Sequence, residues 1–184
     1  MGDGRWATGD GRRATDRSGA VRFDVQSEVA NSNREIERKY LLNGLPTRAR
    51  TASVLHIDQG YLPGVRITER VRRARNESGT RYYRTLKSGA GIERHEIKEE
   101  VGETFFSTVW PLTLGHRVEK RRYEVPDGDL RWEIDEFLDR AGLWLAEVEL
   151  TSVEQRVVVP AWLAEFVVRE VTDDASYTNY ALSK

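Results

Sequence analysis

The chain has 184 residues, of which 39% are apolar, enough for one globular core. Its 29 Lys and Arg nearly cancel its 30 Asp and Glu, so net charge gives no argument for binding nucleic acid or a membrane surface. Cysteine is absent from the sequence, which excludes disulfides, zinc–thiolate sites and cysteine nucleophiles. No apolar run approaches the ~20 residues of a membrane span and no signal peptide is visible, so we expect a soluble, cytoplasmic protein.

The first part of the chain has the composition of a disordered extension. Residues 2–8 (GDGRWAT) are nearly repeated by residues 9–15 (GDGRRAT), and Gly, Asp, Arg and Ser dominate this part. Such a segment buries too little apolar area to offset chain entropy. We expect residues 1–33 to be a spacer or a product of start-site choice, with a weak polyanion-binding arm as the alternative. Residues 34–184 then form the single folded domain.

Short strands dominate the predicted domain. Alternating patterns and turn residues predict eight strands, at residues 34–42, 53–62, 65–75, 79–87, 92–101, 116–125, 130–137 and 142–151. Helices are predicted at residues 103–110 and 160–170, with a final turn at residues 177–182. Regular spacing and hairpin turns favour an α+β, mainly β protein built on an antiparallel barrel or sandwich.

The first predicted strand has an unusual polar face. Glu35, Glu37 and Lys39 share one face, while Ile36, Tyr40 and Leu42 occupy the other. Carboxylates two residues apart on a strand point the same way, roughly 6–7 Å apart, and can share divalent cations. The alternative is an ordinary solvated sheet face.

Later strands carry further like-charge pairs on a single face. The acidic pairs are Glu133 with Asp135 and Glu147 with Glu149; the basic pairs are Arg70 with Arg72 and Lys120 with Arg122, and Lys87 adds a single charge. Like charges on neighbouring strands are unfavourable unless something compensates them. Divalent cations compensate carboxylates, and a polyanion compensates Arg and Lys. A closed barrel with a polar lumen holds both, which permits metal-assisted phosphoryl transfer.

The motifs resemble those of one known family. Glu35-Ile36-Glu37-Arg38-Lys39 is similar to the Glu-x-Glu-x-Lys opening of the CYTH superfamily, the triphosphate tunnel metalloenzymes. In order, the sequence then contains Gln59-Gly60-Tyr61-Leu62, Arg70-Val71-Arg72, Thr85-Leu86-Lys87-Ser88, Trp110-Pro111-Leu112-Thr113, Lys120-Arg121-Arg122-Tyr123, Glu133-Ile134-Asp135, Glu147-Val148-Glu149 and Asn179-Tyr180-Ala181-Leu182. The resemblance covers about residues 34–183 and is greatest to the short bacterial inorganic triphosphatases.

This resemblance implies an eight-stranded antiparallel closed β-barrel, a tunnel with a few short outer helices. It implies that two Mg²⁺ or Mn²⁺ ions are held by acidic residues: Glu35, Glu37, Glu147 and Glu149, with Glu133 and Asp135 nearby. It implies that the triphosphate is bound by basic residues: Lys39, Arg70, Arg72, Lys87, Arg94, Lys120 and Arg122. The implied reaction is the hydrolysis of tripolyphosphate to pyrophosphate and phosphate, with Glu37, Lys39 and Glu149 as catalytic residues.

Three positions depart from the family pattern. Lys98 stands where relatives often have a second Glu, and Thr178 stands where they often have Lys. The hairpin at residues 73–80 is longer, so Arg73 and Arg75 become candidate tunnel or rim groups. These departures bear on substrate preference and rate more than on metal binding.

The remaining candidates have simpler interpretations. His56, His95 and His116 lack metal-ligand spacing and are read as surface or rim residues. Residues 88–91 lack the P-loop lysine and helix, which favours a hairpin turn. The tryptophans are expected in the core, with Trp144 as an alternative lid: Trp110, Trp132, Trp144 and Trp162.

Other functions remain open at this stage. Nucleoside or thiamine triphosphate hydrolysis and ATP cyclisation would use the same site, and a non-catalytic module would bind polyphosphate or a nucleotide. A homodimer is also open.

Overall fold

A computed structural model describes residues 34–62, 64, 67–89 and 92–184. The predicted extension, residues 1–33, lies outside the described residues, so its disorder stays a prediction. The strands are β1 Arg34–Leu42, β2 Ser53–Leu62, β3 Thr68–Asn76, β4 Gly79–Ser88, β5 Glu93–Val101, β6 Arg117–Asp127, β7 Leu130–Phe137, β8 Trp144–Glu149 and β9 Val167–Glu170. The helices are α1 Glu103–Val109 and α2 Ala161–Ala164, with 3₁₀ turns at Thr47–Thr51, Trp110–Thr113, Ala175–Tyr177 and Ala181–Ser183.

Eight of the strands close into an antiparallel barrel. The order around the ring is β5-β4-β3-β2-β6-β7-β8-β1, and β1 closes it by pairing with β5 as well as β8. Arg34–Ile36 pair with β5, and Glu37–Leu42 pair with β8. The prediction of a closed eight-stranded barrel is confirmed, and the sandwich alternative is wrong.

The ninth strand replaces half of a predicted helix. Residues 160–170 were expected to be helical, but α2 ends after Ala164 and Val167–Glu170 form β9, which pairs with Tyr40–Leu42. The helix prediction is wrong here for two physical reasons. Val167 and Val168 are β-branched and favour strands. The edge of β1 beyond β5 also offers backbone groups that need hydrogen-bond partners.

The apolar core lies outside the barrel wall. Ile36, Tyr40 and Leu42 on β1 are at most 5% exposed and pack with outward residues of β7 and β8. Leu163 of α2 is fully buried against the same cluster. Each large apolar side chain buried there contributes about 1.5–3 kcal/mol, so the lumen is free to be polar. The predicted division between an apolar outer face and a charged inner face is confirmed.

The four tryptophans predicted to be in the core belong to the outer layer, as expected. Trp132 is fully buried, and Trp144 and Trp162 pack against the same apolar cluster. Trp110 stacks on Phe106 of α1 with ring centroids 5.0 Å apart. The alternative of Trp144 as a lid is wrong, because its ring packs on Tyr123 outside the barrel.

The β3–β4 hairpin turns through residues 77–78. Asn76 accepts a hydrogen bond from the Ser78 amide at 2.9 Å, and Gly79 has a φ of 132° that suits glycine. The interpretation of Arg73 and Arg75 as tunnel groups is wrong. Both lie on the outer face, where their guanidinium groups bind Asp58 at 2.9 and 3.1 Å.

Two smaller points complete the fold. The predicted turn at residues 88–91 falls partly outside the described residues and stays a prediction. None of the helices in the described ranges is long and apolar enough to cross a membrane.

Candidate active site

A cavity of about 1080 Å³ runs through the barrel lumen. Because side chains alternate along each strand, every second residue of the eight barrel strands points into it. Most of the predicted site residues line this cavity: Glu35, Glu37, Lys39, Arg70, Arg72, Lys87, Arg94, Arg122, Glu133, Glu147 and Glu149. Lys120 and Asp135, also predicted, are fully buried beside it.

One wall of the cavity is acidic. Glu37 on β1 lies directly opposite Glu149 on β8 in the sheet register. Burial, reinforced by Glu35 and Glu133, raises the pKa of Glu149 above its usual range. Within the described residues Glu149 forms no ion pair. This wall therefore carries more negative charge than the neighbouring side chains neutralise.

Internal cations bind the carboxylates of β1. The Lys87 ammonium lies 2.6 Å from both Glu35 and Glu96. The Arg94 guanidinium contacts Glu35 at 3.2 Å and donates a hydrogen bond to Glu37. Positive side chains thus occupy part of the oxygen set that was predicted to hold metal.

Lys39 bridges the acidic residues deeper in the lumen. Its ammonium lies 2.9 Å from Glu147 and 3.6 Å from Glu37. Burial alone would lower the pKa of Lys39, but the charges of Glu147 and Glu37 outweigh it and raise the pKa. Lys39 therefore stays protonated at neutral pH.

A buried network of ion pairs surrounds Asp135, next to Glu147. Asp135 accepts hydrogen bonds from Lys120 and from two guanidinium nitrogens of Arg122, both at 2.7 Å. Burial opposes ionisation of Asp135, but Arg122 and Lys120 outweigh it and lower the pKa. Arg122 also binds Glu147 at 2.7 Å and contacts Glu133. The carboxylate of Asp135 therefore binds the basic side chains around it and does not face the open cavity.

Lys120 is the most constrained base of this network. Its ammonium is fully buried and also lies 3.1 Å from Asn179 Oδ1. Burial and the nearby charge of Arg122 lower the pKa of Lys120 to about 8, although Asp135 opposes them. The charge of Lys120 is therefore more easily lost in the alkaline range than that of an ordinary lysine.

The opposite wall is basic, and among the described residues it has no carboxylate partner. Arg70 donates to Thr85 at 3.0 Å and Arg72 donates to Gln59 at 3.1 Å, both neutral acceptors. The Nε atoms of both arginines are buried without a hydrogen-bond partner. Burial and the charges of Arg70 and Arg122 lower the pKa of Arg72 to about 10. Buried guanidinium groups without an anion create a strong preference for one.

These two walls face each other across the ring. The basic strand β3 and the acidic strand β8 are four strands apart in either direction around the eight-stranded order. Charges of opposite sign are thus held at opposite sides of one cavity and cannot all neutralise each other.

Several lumen residues belong to the sequence motifs but had no predicted role. Gln59 and Thr85 orient the two arginines of β3 through the hydrogen bonds described above. The C-terminal segment also lines the cavity, with Tyr180 packed edge-on against Tyr61 at 5.4 Å. Thr178, at a departure from the family pattern, faces the cavity and donates to the Ala175 carbonyl at 2.9 Å. Their place in conspicuous motifs was the only signal available.

The histidines do not contribute to this site. His56 and His95 are exposed and His116 is half-buried, and the cavity lining includes none of them. In the part of the chain that the structure describes, no group of three or more His, Asp or Glu is gathered closely enough to hold a metal ion. Lys87 and Arg94 lie among the acids of β1 instead.

The chain also has well-matched relatives. Known family models give no match. An inorganic triphosphatase of Nitrosomonas europaea is 40% identical over 154 residues, covering 81% of this chain and 96% of the relative. The chain belongs to the inorganic triphosphatase family. A second inorganic triphosphatase, from Acetivibrio thermocellus, is 34% identical over 160 residues and covers 82% of this chain and 94% of the relative.

A solved structure supports the same assignment. The crystal structure of the inorganic triphosphatase NE1496 aligns with a TM-score of 0.57 and 35% identity, over 81% of this chain and 93% of that one. The resemblance to the CYTH superfamily that the sequence motifs indicate is thereby confirmed.

Proposed function

We propose that this protein hydrolyses inorganic triphosphate to pyrophosphate and phosphate inside the barrel. The observation that carries the proposal is the separation of an acidic wall on β1 and β8 from an unpaired basic wall on β3. A polyphosphate needs cations around its oxygens, and the cations that assist its cleavage need carboxylates. The function named for the two bacterial relatives agrees with this division.

The acidic wall has the chemistry for Mg²⁺ or Mn²⁺. These ions prefer carboxylate oxygens, and Glu35, Glu37 and Glu149 supply only such donors. The raised pKa of Glu149, caused by burial and by neighbouring carboxylates, reflects an excess of negative charge that a divalent cation relieves. We assign metal binding to these three residues together with Glu147 and Glu133. When bound, the metal polarises phosphoryl oxygens and lowers the pKa of water.

The basic residues hold the substrate. Arg70 and Arg72 have no carboxylate partner within the described residues, and their buried Nε atoms have no hydrogen-bond partner. Their guanidinium groups are thus suited to phosphate oxygens, which accept paired hydrogen bonds. Lys39, Lys87 and Arg94 line the same cavity in contact with these carboxylates, and we assign them the neutralisation of charge that develops on the leaving group. Arg122, which lines the cavity, and Lys120, which is buried beside it, complete the set of substrate-binding bases.

Asp135 receives a different role from the one implied by the resemblance. Its two oxygens are occupied by Arg122 and Lys120, and it is fully buried. We assign it the positioning of these two bases and not metal binding. Glu149 has no ion-pair partner among the described residues, so we assign it the role of proton acceptor for the attacking water, while Glu37 and Lys39 position and neutralise.

The experiment that tests the function is a substrate panel. Inorganic triphosphate, ATP and thiamine triphosphate are compared by kcat/KM for phosphate release, with Mg²⁺ or Mn²⁺ and with a chelator as control. We expect the highest value for inorganic triphosphate, because most of the predicted site residues that line the cavity are charged and both bacterial relatives are named inorganic triphosphatases. A higher kcat/KM for ATP or thiamine triphosphate would replace the substrate, and binding without turnover of any of them would favour a non-catalytic module. The cytoplasmic location and a homodimer stay predictions.

A further inference from the structure

One edge of β5 has no neighbouring strand over much of its length. β5 pairs with β4 from His95 to Val101, but its other edge pairs with β1 only at residues 93–95, because β1 begins at Arg34, opposite His95. Residues 96–101 therefore present a row of backbone groups, here called the β5 edge, to which no described residue is paired. Residues 97–100 are all exposed, and Ile97 is 64% exposed. Such an edge is a template for the addition of another strand.

Two charges on the β5 edge lack an internal partner. Lys98 and Glu100 lie on the lumen face of β5, and the Lys98 ammonium lies 4.8 Å from the centre of the Tyr83 ring. Within the described residues neither forms an ion pair. Burial, Arg72 and Arg70 lower the pKa of Lys98, so the carboxylates of its own chain do not compensate these effects. Lys98 also stands where relatives often have Glu, so this unpaired charge is a feature of this chain.

The β5 edge is complementary to a second copy of itself. In an antiparallel pair related by a two-fold axis, residues directly opposite each other lie on the same face, so the residue on the axis defines the register. With Glu99 on the axis, each Lys98 lies opposite Glu100 of the other copy. In the same register each Ile97 lies opposite Val101 of the other copy. Opposite charges and apolar side chains both stabilise a sheet in these cross-strand positions.

The neighbouring registers are less favourable. With any lumen-face residue of the β5 edge on the axis, two like charges meet directly. With Ile97 on the axis, the pairing would extend to His95, which already pairs with β1. With Glu99 on the axis, the two Glu99 carboxylates approach each other, but Arg84 of the same chain lies 3.1 Å from each. The charges of the edge therefore select the register centred on Glu99.

We propose that the β5 edge joins two copies of this chain, with the two-fold axis at Glu99 and one antiparallel ladder over residues 97–101 of each copy. The partner is a second copy of the chain because the edge matches itself in charge and in polarity. So short a ladder is small beside the roughly 800 Å² per partner of a stable interface, so the dimer forms and dissociates with protein concentration. The proposal concerns association and does not depend on the proposed function.

Charge reversal in the full-length chain tests the register. Sedimentation velocity at a series of protein concentrations is measured for the wild type, Lys98→Glu and Glu100→Lys. Each variant places like charges opposite each other twice, so its association constant is expected to fall by about tenfold. An equimolar mixture of the two variants restores association, because every Glu then faces a Lys of the other copy. Arg50→Glu and Glu154→Lys reverse exposed charges away from the edge and retain wild-type association.

A cross-link tests the position of the axis. The sequence has no cysteine, so Glu99→Cys carries a single thiol in each chain. In the proposed register the two thiols lie directly opposite each other, at a separation that a disulfide spans. Oxidised glutathione is therefore expected to cross-link this variant into a covalent dimer. The control Glu154→Cys, exposed and away from the edge, stays monomeric under the same conditions.

Several results would overturn the proposal. A wild-type protein that is monomeric at every concentration excludes the dimer, and hydrogen exchange then shows whether another part of the chain protects the amides of residues 97–101. A dimer that neither charge reversal weakens, or a mixture that does not restore association, places the interface elsewhere. Absence of the Glu99→Cys cross-link in a dimer that the reversals do weaken excludes the proposed register. None of these measurements uses turnover, so they leave the proposed function untouched.

Discussion

Glu37 and Glu149 lie directly opposite each other on the antiparallel strands β1 and β8. Like charges in this position destabilise a sheet by about 0.2–1 kcal/mol. Arg94 and Lys39 partly neutralise Glu37, whereas Glu149 has no ion-pair partner in the described part of the chain. The pair is therefore unfavourable for folding. Removing one of its two charges should raise the stability of the protein and lower its activity.

Glu149→Gln is expected to separate these two properties. Removing one charge relieves the repulsion, so the metal-free variant unfolds at the same or higher urea concentration, with a gain of up to about 1 kcal/mol. Phosphate release with Mg²⁺ or Mn²⁺ falls by at least about 100-fold, because a metal ligand and proton acceptor is lost. Glu37→Gln likewise abolishes metal-dependent release. The exposed Glu154→Gln is the control, and full activity in Glu149→Gln contradicts the assigned role.

Arg94→Gln is expected to tighten metal binding while weakening substrate binding. Arg94 contacts Glu35 and Glu37 and so competes with a divalent cation for the same oxygens. Calorimetry of Mn²⁺ without substrate should show an affinity higher by about five- to tenfold. The KM for inorganic triphosphate should rise, because one cation of the lumen is lost. Unchanged Mn²⁺ affinity would show that Arg94 does not compete.

Asp135→Asn is expected to destabilise the fold. The substitution leaves the fully buried Lys120 and the nearly buried Arg122 without their main counter-charge. Breaking such a buried pair costs about 3–5 kcal/mol, which urea unfolding followed by circular dichroism detects. The exposed Asp139→Asn serves as the matched control. Wild-type stability in Asp135→Asn would mean that the buried network does not depend on this carboxylate.

Lys120 gives a prediction for alkaline pH. Its pKa is lowered to about 8 by burial, so between about pH 8 and its usual value the unfolded chain binds more protons than the folded protein. The stability contribution of Lys120 therefore rises with pH in that range, by up to about 1.4 kcal/mol per pH unit, and is flat below it. The difference in unfolding free energy between wild type and Lys120→Met, measured from pH 7 to 10, isolates this effect. A pH-independent difference would contradict the lowered pKa.

The alternating pattern predicted the barrel best where a strand has one strongly apolar face, as β1, β7 and β8 do. Ile36, Tyr40 and Leu42 faced outward as expected, and the acidic pairs of β1, β7 and β8 reached the same interior. Periodicity reports which side of a strand a residue occupies, and for these strands only one arrangement buries the apolar side.

Other features depend on distant partners that a local pattern does not reveal. Arg73 and Arg75 were ambiguous because both faces of β3 carry arginines, and only Asp58 on the neighbouring strand decides the outer one. β9 depends on an unpaired edge of β1, more than 120 residues earlier in the chain. Which carboxylates Lys87 and Arg94 contact depends on how different strands pack against one another. Residue spacing along a single strand does not reveal these contacts.

Along one edge, β1 pairs first with β5 and then with β9, and this change of partner affects how precisely the site residues are positioned. The Glu37 amide donates to the Ile92 carbonyl next to β5, and the Lys39 amide donates to Thr172 just after β9. The backbone of the strand that carries the acids is thus fixed at both residues, even where the two neighbouring strands leave a gap. Because a slip of one residue would turn every lumen side chain of β1 outward, these backbone hydrogen bonds keep its carboxylates on the lumen face. A substitution that disrupts β9 would therefore make the positions of the β1 carboxylates less well defined without removing any charge from the site.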